Sequence, residues 1–191
     1  MHSKTLAPNN EYNLLKKDLL LEKNINEIAY GNKEALASLY ELTKSSVYGY
    51  ALSILKNTSD AEDVLQEVYI KIYENASTYQ SKGKPLAWIT TITKNLAYMK
   101  LRKQKDIVDI DELQEILTKN ERISTEDKMI LKSAFKYLSD EERNILILHA
   151  NSGLKHREIA KLLELPLSTV LSKYHRAIKK MKLMIDEEVM I

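Results

Sequence analysis

The sequence predicts an all-α protein made of two small helical domains. Turn-forming residues are scarce, with four glycines and three prolines among 191 residues, whereas Leu, Lys, Ile and Glu are abundant. Apolar residues recur at three- and four-residue spacing over long stretches. Between Asp106 and Asp127, eight acidic residues stand against Lys119 and Arg122, which suggests an acidic linker. The predicted divisions are an N-terminal extension (1–27), a first domain (28–105), the linker (106–127) and a second domain (128–186).

The first domain is expected to contain three helices. Residues 1 to about 25 are weakly patterned and are expected to fray or to form one short helix. After the break that begins at Asn57, Ser59 or Asp60 is well placed to cap the second helix. The stretch from Asn75 to Pro85 is rich in Ser, Thr, Gln, Lys and Gly and predicts a loop. The three helices are predicted at about 32–54, 60–74 and 86–103.

The second domain begins with a capping signal. Ser139 precedes three acidic residues, so its hydroxyl can accept from the third helical N–H while Glu142 reaches back. The helix that this box starts is expected to run to about Asn151. Weak helical phasing near Glu126 predicts one more helix before it. About four helices are therefore expected in this half.

The stretch from Gly153 to Ala177 predicts a helix-turn-helix, in which a second helix enters a DNA major groove. Five apolar residues fall where its two helices must pack, namely Ile159, Ala160, Leu163, Leu165 and Val170. Ser168 or Thr169 can cap the second helix. Four polar or basic residues then remain free to reach DNA, namely Ser172, Lys173, Arg176 and Lys179. An ordinary helical hairpin with solvated lysines is the competing interpretation.

Two further groups of residues have less specific patterns. Asp63, Gln66 and Glu67 share one helix face, which taken alone is an exposed acidic surface. Tyr79 in the loop, Trp88 at a helix start and the nearby cations could form a surface for unstacked bases. A single Trp at a helix N-terminus fits a core anchor equally well.

Several classes of protein have no support in the sequence. The chain has no cysteine, and its four histidines lack metal-ligand spacing. No nucleophile–base pair or phosphate-binding loop is present, so we expect no catalytic residues, no metal and no cofactor. The first ten residues lack the apolar core of a signal peptide, and no apolar run approaches a membrane span. A cytoplasmic protein without membrane insertion is the expectation.

The order of these motifs resembles that of bacterial RNA polymerase sigma factors, in particular the small extracytoplasmic-function (ECF) group. The resemblance covers roughly residues 28–185. It rests on Asp60-Ala61-Glu62-Asp63 with Gln66-Glu67, on Trp88 with Asn95-Leu96-Ala97 and Arg102, and on Leu138-Ser139 with the helix-turn-helix that closes on His175-Arg176-Ala177. It implies a region 2 helical bundle and a region 4 helix-turn-helix.

The resemblance also implies a function without catalysis. Such a factor binds core RNA polymerase through the β′ clamp helices and the β flap, recognises the −35 and −10 promoter elements and melts DNA. Its DNA partners are duplex and single-stranded, and an anti-sigma factor that covers these faces is usual in the family. The linker threads the polymerase cleft where RNA would run, so an acidic linker suits a mimic of nucleic-acid charge.

The family's functional residues map onto three sets of positions. The polymerase-binding set is Asp63, Gln66 and Glu67. The −10 and melting set is Tyr79, Lys82, Lys84, Trp88, Lys94, Asn95 and Arg102. The −35 set in the recognition helix is Ser168, Thr169, Ser172, Lys173, Arg176 and Lys179.

Three positions depart from the family pattern, and two other interpretations compete with the sigma-factor interpretation. Met99 replaces a common Asp, Glu164 a frequent Gly, and Leu171 a frequent basic residue. A stand-alone helix-turn-helix regulator would explain residues 130–182 but would leave the acidic helix without a role. A sigma-like decoy that has lost promoter recognition is supported by Met99 and Leu171 alone.

Overall fold

The computed structural model describes residues 8–81, 83–103 and 137–189, and every long element in these ranges is an α-helix. The all-α prediction is confirmed. The predicted acidic linker and the helix expected near Glu126 lie outside the described residues. The helices are α1 (Pro8–Ala29), α2 (Lys33–Leu55), α3 (Thr58–Asn75), α4 (Pro85–Lys103), α5 (Asp140–Ala150), α6 (His156–Leu163) and α7 (Leu167–Val189), with a 3₁₀ turn at Ala76–Thr78.

The N-terminal helix is much longer than the sequence suggested. α1 has 22 residues, so the expectation of fraying or one short helix was wrong. Leu21, Ile25 and Ile28 follow one another at helical spacing and are buried against the rest of the bundle. Tertiary packing of this stripe stabilises the helix, although Leu15, Leu19 and Leu20 of the same helix are exposed.

The helix ends give both a confirmation and two corrections. The capping box is present as predicted: Ser139 accepts from the N–H of Glu142, whose carboxylate accepts from the N–H of Ser139. α3, however, is capped by Asn57, whose side chain accepts from the N–H of Asp60. Ser59 and Asp60 lie inside the helix because it begins at Thr58. For the same reason Ser168 and Thr169 lie in the first turn of α7 and not at its cap.

Helices α1 to α4 form a bundle around a fully buried aromatic side chain. Tyr50 in α2 has no exposed surface, and Leu39, Ile72 and Ile89 from three helices are equally buried. In α3, Val64 and Val68 are buried, whereas Tyr73 near the end of the helix is 46% exposed. This bundle fixes the relative positions of α3, α4 and the loop between them.

Helices α6 and α7 form the predicted helix-turn-helix. Ile159 and Val170 are fully buried where the two helices meet, and Ala160 is nearly so. Leu163 and Leu165 are partly buried against the same core. The turn passes through Glu164, which has φ +57°, so this residue adopts the left-handed conformation that favours the Gly frequent at this position in the family.

Replacing Glu164 by Gly is expected to stabilise the protein relative to Glu164→Ala. Both substitutions remove the exposed carboxylate, so their difference isolates the left-handed backbone, which costs a non-glycine residue about 1–2 kcal/mol. Part of this gain is offset by the greater flexibility of unfolded glycine, which leaves about 1 kcal/mol. Urea denaturation measures the difference. Equal midpoints for the two variants would contradict the strain at this turn.

The two halves of the chain pack against each other through α2 and α5. One apolar cluster runs from the bundle into the second half, where it includes Ile145 and Leu148 of α5. The Ser46 hydroxyl donates to the backbone oxygen of Asn151 at 3.0 Å, and the Asn151 amide donates to the oxygen of Ser45 at 3.1 Å. We call this packing the closed arrangement.

Candidate functional site

The acidic face of α3, formed by Asp63, Gln66 and Glu67, lies at the surface. Asp63 and Gln66 are exposed and Glu67 is half-buried. Lys100 of α4 donates to Asp63 at 2.6 Å and contacts Asp60 at 3.0 Å. Burial alone would lower the pKa of Lys100, but the hydrogen bonds to Asp63 and Asp60 raise it. These contacts hold α3 and α4 together beside a surface that carries carboxylates.

A groove of about 510 Å³ runs between α3 and α4 next to the acidic face. Asp63 and Glu67 line one wall and Lys103 lies on the other, with Met99 and Leu96 between them. Met99 is 49% exposed. The Met99 departure therefore places an apolar side chain inside a groove whose rim is charged.

The loop between α3 and α4 carries an aromatic pair. The rings of Tyr79 and Trp88 lie 5.0 Å apart at 52°, and both are partly buried against the core. Trp88 therefore packs as an anchor at the start of α4. Lys84 is exposed. Lys82 lies outside the described residues.

The predicted melting residues of α4 differ in whether they contact the second half of the chain. Asn95 and Arg102 are exposed. Lys94 is instead engaged by the second half of the chain: its Nζ donates to the oxygen of Leu162 at 2.6 Å and to Glu164 at 3.0 Å. Lys84 likewise pairs with Glu158 of α6 at 2.6 Å. In the closed arrangement two predicted DNA-binding cations are thus neutralised by carboxylates.

The recognition helix presents a polar surface along α7. Ser168, Ser172 and Arg176 are exposed, as is Lys179, and Thr169 is half-buried. The Nε of Arg176 donates to the backbone oxygen of Ser172 at 3.4 Å, a long hydrogen bond. Lys173 is the exception, because it pairs with Glu141 of α5. Leu171 is 36% exposed and supplies no charge to this surface.

A cluster of imidazoles supports the recognition helix, and sequence reasoning missed it. The rings of His149 and His156 stack at 4.3 Å, and Tyr174 of α7 meets both rings edge-on. Burial, together with His149 and His175, lowers the pKa of His156. The neutral form of His156 is therefore favoured in the fold. Spacing did not signal this cluster because the three residues come from three different helices.

Neither a metal-binding group of side chains nor a membrane-spanning helix is found among the described residues. Within residues 8–81, 83–103 and 137–189, no group of His, Cys, Asp and Glu side chains could hold a metal ion. In the same part of the chain no helix is long and apolar enough to cross a membrane.

Two family models match separate parts of the chain. Residues 39–107 match the model of Sigma-70 region 2, and residues 128–181 match that of Sigma-70, region 4. The chain belongs to the sigma-70 family of RNA polymerase sigma factors. A sigma factor directs transcription initiation as a subunit that works with core RNA polymerase and promoter DNA, and the family is not one of catalytic enzymes.

Curated relatives align with most of this sigma factor. It is 27% identical over 176 residues to the ECF RNA polymerase sigma factor SigK of Mycobacterium tuberculosis, covering 87% of this chain and 94% of the relative. SigW of Bacillus subtilis is 24% identical over 174 residues, covering 83% and 93%.

Two solved structures share the fold. CnrH, determined in complex with the cytosolic domain of CnrY, superposes with a TM-score of 0.63 at 19% identity, covering 88% of this chain and 98% of that one. The sigma factor RpoE of Bartonella quintana, determined with the anti-sigma factor NepR, gives 0.61 at 20% identity, covering 78% and 96%.

Proposed function

We propose that this sigma factor binds core polymerase through the acidic face of α3, reads the −35 element with α7 and opens the −10 element with the loop and α4. The observation that carries the proposal is that one chain joins an exposed carboxylate surface to a helix-turn-helix with an exposed, polar recognition helix. A stand-alone regulator has no use for the first surface. The proposed domains keep the predicted bounds of 28–105 and 128–186.

The chemistry of each surface supports its proposed partner. Exposed carboxylates on α3 suit a basic helical partner, which we take to be the β′ clamp helices. Ser172, Arg176 and Lys179 suit phosphates and base edges in the major groove, with Lys173 joining them once it leaves Glu141. We take the β flap as the polymerase partner of region 4.

We propose that trapping unstacked bases drives promoter opening. Tyr79 and Trp88 offer aromatic surface at the start of α4, and Asn95 and Arg102 are exposed farther along the same helix, which suits a single strand. Capturing an unstacked base offsets an unstacking cost of a few kcal/mol. No ATP is needed in this scheme because binding supplies the free energy.

Reaching both promoter elements requires the closed arrangement to open. The −35 and −10 promoter elements are centred roughly 25 base pairs apart, which is about 85 Å along B-DNA. A compact chain of this length is only about 40 Å across, from its expected radius of gyration of about 16 Å. Residues 104–136 have a covalent reach of about 110 Å at roughly 3.3 Å per residue. The covalent chain therefore permits the separation that the promoter demands.

We also propose that an anti-sigma factor stabilises the closed arrangement. RpoE, which shares this fold, was solved with the anti-sigma factor NepR, and CnrH with the cytosolic domain of CnrY. In this chain, closure already neutralises Lys84 and Lys94. A partner that holds the two halves together would silence the factor without covering every DNA-binding residue.

Replacing Arg176 by Ala tests base readout by the recognition helix. If the guanidinium contacts a base edge, affinity should fall by about 1–3 kcal/mol at one position of the −35 element and preference at that position should relax. Binding of the polymerase complex to a set of single-base promoter variants measures this. Lys179→Ala is the control, with a uniform and smaller loss expected from a phosphate contact. A uniform loss for Arg176→Ala would reassign it to the DNA backbone.

A further inference from the structure

We propose that Glu22, in the N-terminal helix, is a positioning residue that shapes the base-capturing loop. This inference rests on the proposed function of the loop around Tyr79 to Lys84. Glu22 lies in the extension before the proposed region 2 domain and outside the family match at 39–107. No motif of the sequence singled it out.

One carboxylate oxygen of Glu22 gathers three donors from the loop. Oε1 accepts from the Tyr79 hydroxyl at 3.1 Å, from the Ser81 hydroxyl at 2.8 Å and from the backbone N–H of Gly83 at 3.0 Å. The donors are 57, 59 and 61 residues away along the chain. Hydrogen bonds to an ionised acceptor are roughly twice as strong as neutral ones. A single charge therefore fixes the loop at three points.

The loop conformation at these points needs an external anchor. Gly83 has φ +66 and a Cβ there would meet no atom within 4 Å, so glycine serves the backbone conformation and not a close approach. Ser81 and Gly83 are exposed, and neither is part of the apolar core. Glu22 is half-buried on a helix that packs firmly through Leu21 and Ile25. The rigid helix thus supplies the geometry that the loop itself lacks.

The anchor also orients the aromatic pair. Tyr79 is held by Glu22 through its hydroxyl while its ring lies 5.0 Å from that of Trp88. Removing Glu22 takes away this hydrogen bond from Tyr79 together with those to Ser81 and Gly83, so the loop can shift relative to Trp88. Glu22 does not touch the captured base in this account. It sets the shape of the pocket before the base arrives, which reduces the ordering cost of binding.

The test measures discrimination between bases by the assembled polymerase complex. Four single-stranded oligonucleotides carry the non-template −10 element with A, C, G or T at its most selective position. We expect Glu22→Ala to weaken binding of the preferred base about tenfold, as for loss of a charge-assisted contact, and to flatten the ratios between the bases. Glu22→Gln keeps an acceptor without the charge, and its discrimination between the bases should lie between that of the wild type and that of Glu22→Ala. Glu27→Ala is the matched control, since Glu27 lies on the same helix and contacts Lys23 and Asn32.

Two further readouts separate positioning from simple loss of stability. Trp88 is the one tryptophan of the chain, so its emission should shift in Glu22→Ala and not in Glu27→Ala. In a double-mutant cycle, Tyr79→Phe should weaken base discrimination in the wild-type background and add little once Glu22 is replaced by Ala. Additive effects would show that the two side chains act separately and would overturn the inference.

The outcomes distinguish this inference from the function on which it rests. If the wild type discriminates the four bases and Glu22→Ala discriminates them equally well, Glu22 is not a positioning residue and the proposed function stands. If the wild-type complex does not discriminate among them at all, the loop does not capture a base and both proposals fail.

Discussion

Replacing Gln66 and Glu67 together by Lys is expected to abolish promoter-dependent transcription by this sigma factor. The double change converts the acidic face of α3 into a basic one, and it leaves the contacts of Asp63 with Lys100 intact. If the partner surface on the polymerase is basic, like charges meet across the interface at a cost of several kcal/mol. Affinity for core polymerase should then fall by at least about a hundredfold.

Fluorescence anisotropy of the labelled sigma factor with core polymerase measures this loss directly. The control is Glu41→Lys, which repeats the change made at Glu67 at an exposed glutamate of α2 that also has a lysine partner one turn away. Thermal unfolding should be unchanged in both variants because the substituted residues lie at the surface. Unaltered core affinity in the double variant would contradict the assignment of the acidic face.

Replacing Glu158 and Glu164 together by Gln is expected to open the closed arrangement. The two changes remove the carboxylate partners of Lys84 and Lys94. A glutamine in place of Glu158 can still accept from the N–H of Lys155, as the native carboxylate does at 2.9 Å, so the start of α6 is preserved. Two such pairs contribute about 1–2 kcal/mol together, which corresponds to a shift of roughly 5- to 30-fold toward the open form.

Energy transfer between dyes on the two halves measures this opening. The chain has no cysteine, so Tyr30→Cys and Lys161→Cys introduce unique and exposed attachment points. Relative to the wild type, we expect the double variant to show lower transfer efficiency and, as free protein, tighter binding to promoter DNA. Both differences should become smaller at high salt, which screens the ion pairs. Glu141→Gln is the control, because its partner Lys173 belongs to the same half. Equal transfer in the double variant would show that these ion pairs do not hold the halves together.

Local patterns predicted the helices and the helix-turn-helix well, because their stability depends on residues close in sequence. The packing of Ile159 on Val170 follows from periodicity, and the box of Ser139 with Glu142 follows from a three-residue spacing. The errors at Asn57 and Leu167 concern helix starts that differ by one or two residues from the expected ones. α1 was underestimated because its buried stripe of Leu21, Ile25 and Ile28 is short and lies among leucines that stay exposed, so the apolar spacing is blurred.

Long-range contacts were beyond the reach of the sequence. Lys84 meets Glu158, and Lys94 meets Glu164 at a separation of 70 residues, and no spacing rule links such positions. Glu22 carries no motif, since its role depends on where the loop around Ser81 folds. The positions of the lysines in the sequence do not show which of them are paired, whereas the three-dimensional arrangement does for Lys84 and Lys94.

The most direct test of the account is run-off transcription by core polymerase over a pool of promoter fragments, with and without this protein. The account predicts initiation from a selected subset that appears only when the protein is present, with two enriched elements in that subset. Initiation without selectivity, or binding to core polymerase with no initiation, would contradict promoter recognition by this chain. Binding to duplex DNA that is indifferent to polymerase would contradict its assignment as an initiating subunit.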